Sequence, residues 1–166
     1  MERERYRQDF FISWEELHRD TRLLCKALLE HGYRFDGVVA VTRGGLIPAA
    51  IVCRELDIRL IDTVCIASYS GASAQQQGGL QVYKSAAGDG AGMLIVDDLV
   101  DTGATAAAIR QMLPKAVFAT VYAKPEGRRL VDHVVREVSQ DTWIRFPWDM
   151  QLHFAVPLVE AMRGGR

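Results

Sequence analysis

Four short apolar runs limit most sharply what this chain can fold into: VVAVT (38–42), DTVCIAS (62–68), MLIV (93–96) and VFATVYA (117–123). VVAVT is β-branched without a polar alternation, the texture of a strand covered on both faces in a parallel sheet. Parallel strands need crossover segments, and helical stretches stand where crossovers are required. One runs over about 47–56, and another over about 106–113 is halted by Pro114. A third is announced by a capping box at Ser13 and Glu16, followed by Trp14, Leu17, Thr21, Leu24 and Leu28 at helical spacing and a stop at Gly32. It spans about 14–30. HVVREV (133–138) alternates like a strand with one wetter face, and the aromatic, proline-punctuated end TWIRFPWDMQLHFAVPL reads as compact but irregular. The alternation predicts an α/β fold, a mostly parallel central sheet flanked by helices, in a single domain over 1–166.

Composition removes several function classes. A chain of 166 residues buries about 70% of its unfolded surface, enough for a core without staples. Hydrophobic residues at 49% and charged ones at 25% exclude wholesale disorder, a collagen-like fibre and a coiled coil. Twenty basic residues against 21 acidic ones leave a charge of −1, which argues against a nucleic-acid partner. Cys25, Cys53 and Cys65 form no CxxC pair and read as buried thiols in a reducing compartment. No apolar run approaches about 18 residues, and the start MERERYRQDFF carries no signal core. The expectation is a cytoplasmic protein without an integral membrane segment.

In parallel sheets the ligand site lies beyond the carboxyl ends of the strands. Three suspicious segments fall there: Arg43-Gly44-Gly45, Asp97 to Thr105, and Lys124. VDDLVDTGAT places Asp97 and Asp98 directly after an apolar strand and Asp101 three residues on. Neighbouring strand side chains point opposite ways, so one carboxylate could face bound hydroxyls or hydrated Mg²⁺ while the other anchors the loop. Thr102-Gly103-Ala104-Thr105 then opens a helix, and two hydroxyls with a run of backbone N–H groups suit a phosphate monoester. The loop thus offers a sugar-hydroxyl clamp, a charge stabiliser and a phosphate cradle.

VDDLVDTGAT resembles the phosphoribosyl-pyrophosphate signature of the type I purine phosphoribosyltransferases, and VTRGGLIPA, DTVCIASY, AKPEGR and DTWIRFPWDM are similar to segments of the bacterial xanthine-guanine members. The resemblance covers most of the chain in order. It implies that Asp97, Asp98, Leu99, Val100, Asp101, Thr102, Gly103, Ala104 and Thr105 bind phosphoribosyl pyrophosphate. Asp98 would also contact the Mg²⁺ cofactor, and Arg43 and Gly44 would bind the pyrophosphate. It further implies catalysis by Asp101 beneath the anomeric carbon and purine contacts from Asp101, Lys124, Trp143 and Ile144. Trp148 is left to packing. The implied reaction is transfer of the 5-phosphoribosyl group to xanthine, guanine or hypoxanthine, in purine salvage. The implied assembly is a homotetramer, with peripheral placement at an inner membrane face known among relatives but no anchor here.

The resemblance also implies a flexible lid over about 70–90 and a purine-binding hood over about 124–155. Close relatives carry an arginine in the lid, whereas this chain reads Ala74-Gln75-Gln76-Gln77-Gly78-Gly79 and has no basic residue before Lys84, leaving Lys84 or a glutamine as the substitute. Ala104 stands where close relatives have glycine. Relatives hold a strained peptide in the Arg43 turn, sometimes cis, a question here for Arg43-Gly44. Two other readings compete. A regulatory protein that binds phosphoribosyl pyrophosphate without base transfer would want a basic face, and phosphatase chemistry would want an aspartate nucleophile with a lysine partner.

Overall fold

A computed structural model describes residues 6–68 and 79–149. These fall into two compact units, one from residues 18–140 and a smaller one joining residues up to 17 with those from 141 onward.

The large unit carries a six-stranded sheet in the order β4-β3-β2-β5-β6-β7, built from β2 (Gly37–Thr42), β3 (Ile61–Ser68), β4 (Leu80–Lys84), β5 (Met93–Val100), β6 (Val117–Ala123) and β7 (His133–Glu137). Every neighbouring pair is parallel except the β3–β4 hairpin. Helices α1 (Trp14–Glu30), α2 (Leu46–Glu55), α3 (Ala104–Met112) and the short α4 (Pro125–Arg128) complete the order, α1 beginning in the small unit. The uninterrupted apolar runs are explained by burial on two faces. Val38, Ala40, Leu94 and Val96 pack with Leu24, Leu28 and Val52 of α1 and α2, whereas Val39, Val41 and Ile95 pack with Ile109 and Leu113 at α3.

In the small unit, β1 (Gln8–Phe11) pairs in parallel with β8 (Thr142–Arg145), and a 3-10 turn follows over Pro147–Asp149. Ser13 and Glu16 form the expected capping box: the Glu16 amide donates to Ser13 Oγ (3.1 Å) and the Ser13 amide to Glu16 Oε2 (2.9 Å).

Several expectations need correction. The 124–155 hood is divided differently, since α4 and β7 belong to the large unit, where β7 extends the sheet beside β6. β7 is an edge strand, half-buried throughout His133–Arg136 rather than alternating. The expected lid is not structureless throughout: Leu80–Lys84 forms edge strand β4, although residues 69–78 lie outside the described region. The chain's end is not wholly irregular, because Thr142–Arg145 becomes a strand once β1 supplies a partner. β5 runs on to Val100, so Asp97 and Asp98 lie within the strand rather than after it.

Candidate functional site

The strand order reverses direction between β2 and β5: the chain leaves β2 toward β3 on one side and β5 toward β6 on the other. A crevice opens at the carboxyl ends of such a pair. The turn after β2 and the loop after β5 face it, and Lys124 follows the neighbouring β6.

The β2 turn holds a cis peptide at Thr42–Arg43, one bond earlier than Arg43-Gly44. Arg43 is exposed, and its guanidinium enters no ion pair among the described residues. Gly44 packs so closely against β5 that a Cβ there would overlap the Asp98 carboxylate. A side chain at this position would have to displace the Asp98 carboxylate.

Asp97 and Asp98 are not kept apart by strand alternation. The Asp97 carboxylate turns back to accept the Asp98 amide N–H (2.9 Å), and the two side chains interact directly. Burial, and then the adjacent Asp98 charge, push the Asp97 carboxyl well above the usual carboxylate range. Such a pair gains from a cation or from hydroxyl donors. No cluster of three or more potential metal-ligating His, Cys, Asp or Glu side chains exists among the described residues. That donor set fits Mg²⁺, which keeps waters and takes one or two carboxylates together with substrate oxygens. Asp98 is the residue that would hold it.

At the end of β5, Val100 turns its side chain into the core, and its carbonyl accepts the Lys124 amide (2.9 Å). Leu99 is half-buried. Gly103 caps α3 with φ +89°, a left-handed conformation that glycine adopts at no steric cost, and it supplies no side-chain cap. The first amides of α3 thus lack a capping side chain at Gly103, as an anion site at a helix N-terminus requires. Thr102 and Ala104 are exposed and Thr105 is half-buried; the Thr102 hydroxyl lies 3.5 Å from the Ala104 amide.

Asp101 and Lys124 meet directly. Lys124 Nζ donates to Asp101 Oδ2 at 2.8 Å; the lysine side chain is 2% exposed and the aspartate 30%. A buried lysine is thereby fixed on a carboxylate that still reaches solvent. Gln140, which the sequence reading missed, donates from Nε2 to Asp101 Oδ1 at 2.7 Å. No sequence signal marks it, because the contact depends on how the chain turns after β7.

Lys84 is not free to serve a lid. Its Nζ donates to Asp62 Oδ1 (2.5 Å) and to the Thr63 carbonyl (2.6 Å) near the start of β3, away from the strand ends that carry the site. This hydrogen bond, with that from the Thr63 amide, holds the Asp62 carboxyl below its ordinary range. Trp143 and Ile144 lie on β8 in the small unit, where the Trp143 ring meets Tyr6 edge-on at 4.8 Å and Ile144 is buried opposite Phe10. Trp148 stacks on Phe146 at 4.7 Å, in keeping with a packing role. Cys25 and Cys53 are buried, and burial pushes the Cys25 thiol up to about 12.

Residues 13–155 match the phosphoribosyl transferase domain family. The chain belongs to that family. A xanthine-guanine phosphoribosyltransferase of Chromohalobacter salexigens is 61% identical over 160 residues, 96% of each chain. One from Desulfotalea psychrophila is 54% identical, over 94% of this chain and 96% of the relative. Among solved structures, a purine phosphoribosyltransferase from Pyrococcus horikoshii aligns with TM-score 0.72 at 26% identity, over 86% of this chain and 94% of that one.

Proposed function

We propose that this protein transfers the 5-phosphoribosyl group of phosphoribosyl pyrophosphate to a ring nitrogen of xanthine, guanine or hypoxanthine, releasing pyrophosphate and forming the nucleoside 5′-monophosphate. The Lys124–Asp101 pair at the strand ends carries the reading. An aspartate beside a lysine is also what phosphatase chemistry would want, and the phosphate cradle at α3 directly after Asp101, with the phosphoribosyl transferase family match, favours transfer over it.

Each residue is assigned the part that its chemistry suits. The α3 N-terminus with Thr102 and Thr105 holds the 5-phosphate, Asp97 and Asp98 the ribose hydroxyls, and Arg43 with the Gly44 backbone the pyrophosphate. Mg²⁺, when bound, supplies positive charge that steadies the leaving pyrophosphate. The Asp101 carboxylate stabilises positive charge developing on the ribose and accepts the proton of the attacking base. Lys124 brings an ammonium, a donor only, to the strand end, where it suits the six-position oxygen of a 6-oxopurine and repels the amino group of adenine. Trp143 gives the purine a stacking face, and the Ile144 carbonyl accepts from a two-amino group.

The described residues include no helix long and apolar enough to cross a membrane, and the reading places the protein in the cytoplasm. Peripheral membrane attachment gains no support. A homotetramer is the proposed assembly, and exposed apolar side chains on β3 and β4 (Ile61, Val82 and Tyr83) are surface that subunit contacts would cover. The test is pyrophosphate release with each purine base, with and without Mg²⁺. Turnover with the three 6-oxopurines that needs Mg²⁺ supports the reading; no release with any base contradicts it.

A further inference from the structure

Asp101 carries most of the proposed chemistry, yet a half-exposed loop carboxylate is free to rotate unless something fixes its plane. Lys124 is a poor sole anchor, because the base must also draw on its ammonium. A further anchor is Gln140. Its Nε2 donates to Asp101 Oδ1 at 2.7 Å, on the oxygen opposite the one Lys124 holds. Its own orientation is set from behind: Oε1 accepts the backbone N–H of Glu126 at 3.1 Å. That amide belongs to the first turn of α4, where backbone donors have no partner within the helix. The Glu126 amide therefore fixes which end of the Gln140 amide faces the carboxylate, and the chain of contacts Glu126–Gln140–Asp101 runs from rigid backbone to the reacting group.

We infer that Gln140 is a positioning residue for the transfer reaction: it holds the Asp101 carboxylate in its working plane while Lys124 engages the 6-oxopurine. The inference rests on the proposed function and adds a residue to it. Gln140 touches neither sugar nor base in this account; it acts through Asp101.

Replacement should therefore lower kcat and leave KM for phosphoribosyl pyrophosphate little changed, because the lost interaction matters to the transition state more than to ground-state binding. Gln140→Ala is expected to reduce kcat by about 10- to 100-fold, the scale set by misplacing a catalytic group by a fraction of an ångström to an ångström. Gln140→Glu gives a readout that a merely structural role would not move. At low pH a protonated carboxyl can donate to Asp101 as the amide does; at high pH two carboxylates repel. Its activity relative to the native enzyme should fall as pH rises. The inference is overturned if Gln140→Ala turns over at the native rate, or if the Gln140→Glu profile parallels the native one. Asp101→Ala, run beside them, separates the two failures. If it is inactive while Gln140→Ala is unimpaired, only the role of Gln140 falls; if it keeps native turnover, the catalytic role of Asp101 falls and takes the inference with it, whereas the functional reading falls only if the native chain releases no pyrophosphate with any base.

Discussion

Tyr122 and Lys124 stand two residues apart on one strand and its continuation; both are buried, and each reaches an aspartate. Tyr122 donates to Asp20 Oδ2 at 2.9 Å, and Lys124 to Asp101 Oδ2 at 2.8 Å. The two aspartates fare differently. Asp20, on α1, is 1% exposed and also receives Arg19 at 2.9 Å and Arg136 at 3.7 Å. Asp101 is 30% exposed, on the loop that clears the sheet. A carboxylate enclosed by donors has nothing left to offer a ligand, and its bonds tie α1 to β6. Asp101, held by Lys124 and Gln140 at a strand end, still reaches solvent. Similar pairs thus serve structure in the body of the sheet and, in the proposed function, chemistry at its strand ends.

Breaking the open pair should have the largest effect. Asp101→Ala is expected to lower kcat by about 10²- to 10⁴-fold, with little loss of phosphoribosyl-pyrophosphate binding, as steady-state kinetics and a binding titration would read. Next comes Lys124→Ala, which should erode the preference for 6-oxopurines over adenine by about 10- to 100-fold in kcat/KM. Unchanged discrimination would remove Lys124 from base recognition.

The enclosed pair should answer in stability instead. Tyr122→Phe removes one hydrogen bond from a buried carboxylate, costing about 1.5–3 kcal/mol. Thermal melts should show the loss while kcat stays native; a large fall in kcat at unchanged Tm would erase the contrast between the two pairs.

The smallest effect concerns His133, whose ring lies 4.8 Å from His31, edge-on, and near Tyr33. Burial first, then the His31 charge, lower its pKa. The unfolded chain takes up that proton first, so stability is full above the ordinary histidine value of about 6.5 and declines as pH falls through it toward the folded value. Denaturation midpoints across that window should lose part of this slope in His133→Gln.

The legible parts of the fold were local. The apolar runs, the capping box and Pro114 act within a few residues, and β2, α1 and β6 formed close to where their patterns placed them. β1 and β8 were not legible. Gln8–Phe11 is short and largely exposed, and it becomes a strand only against residues more than 130 positions away. The site divides in the same way. Asp97 to Thr105 announces itself because three acids after an apolar strand need a ligand, whereas Gln140 and the Asp20–Tyr122 bond join residues 39 and 102 positions apart with ordinary side chains. Contact between Asp97 and Asp98 also ran against the strand period, because Asp97 bends back to its neighbour's amide.

The most direct test of the central claim, that the β5 acids and the α3 loop grip an activated pentose phosphate, is a calorimetric titration of the protein with phosphoribosyl pyrophosphate in the presence of Mg²⁺. The account predicts saturable binding that is lost when Asp97 and Asp98 are both replaced by asparagine. No binding by the native chain, or equal binding by the doubly substituted one, would contradict it.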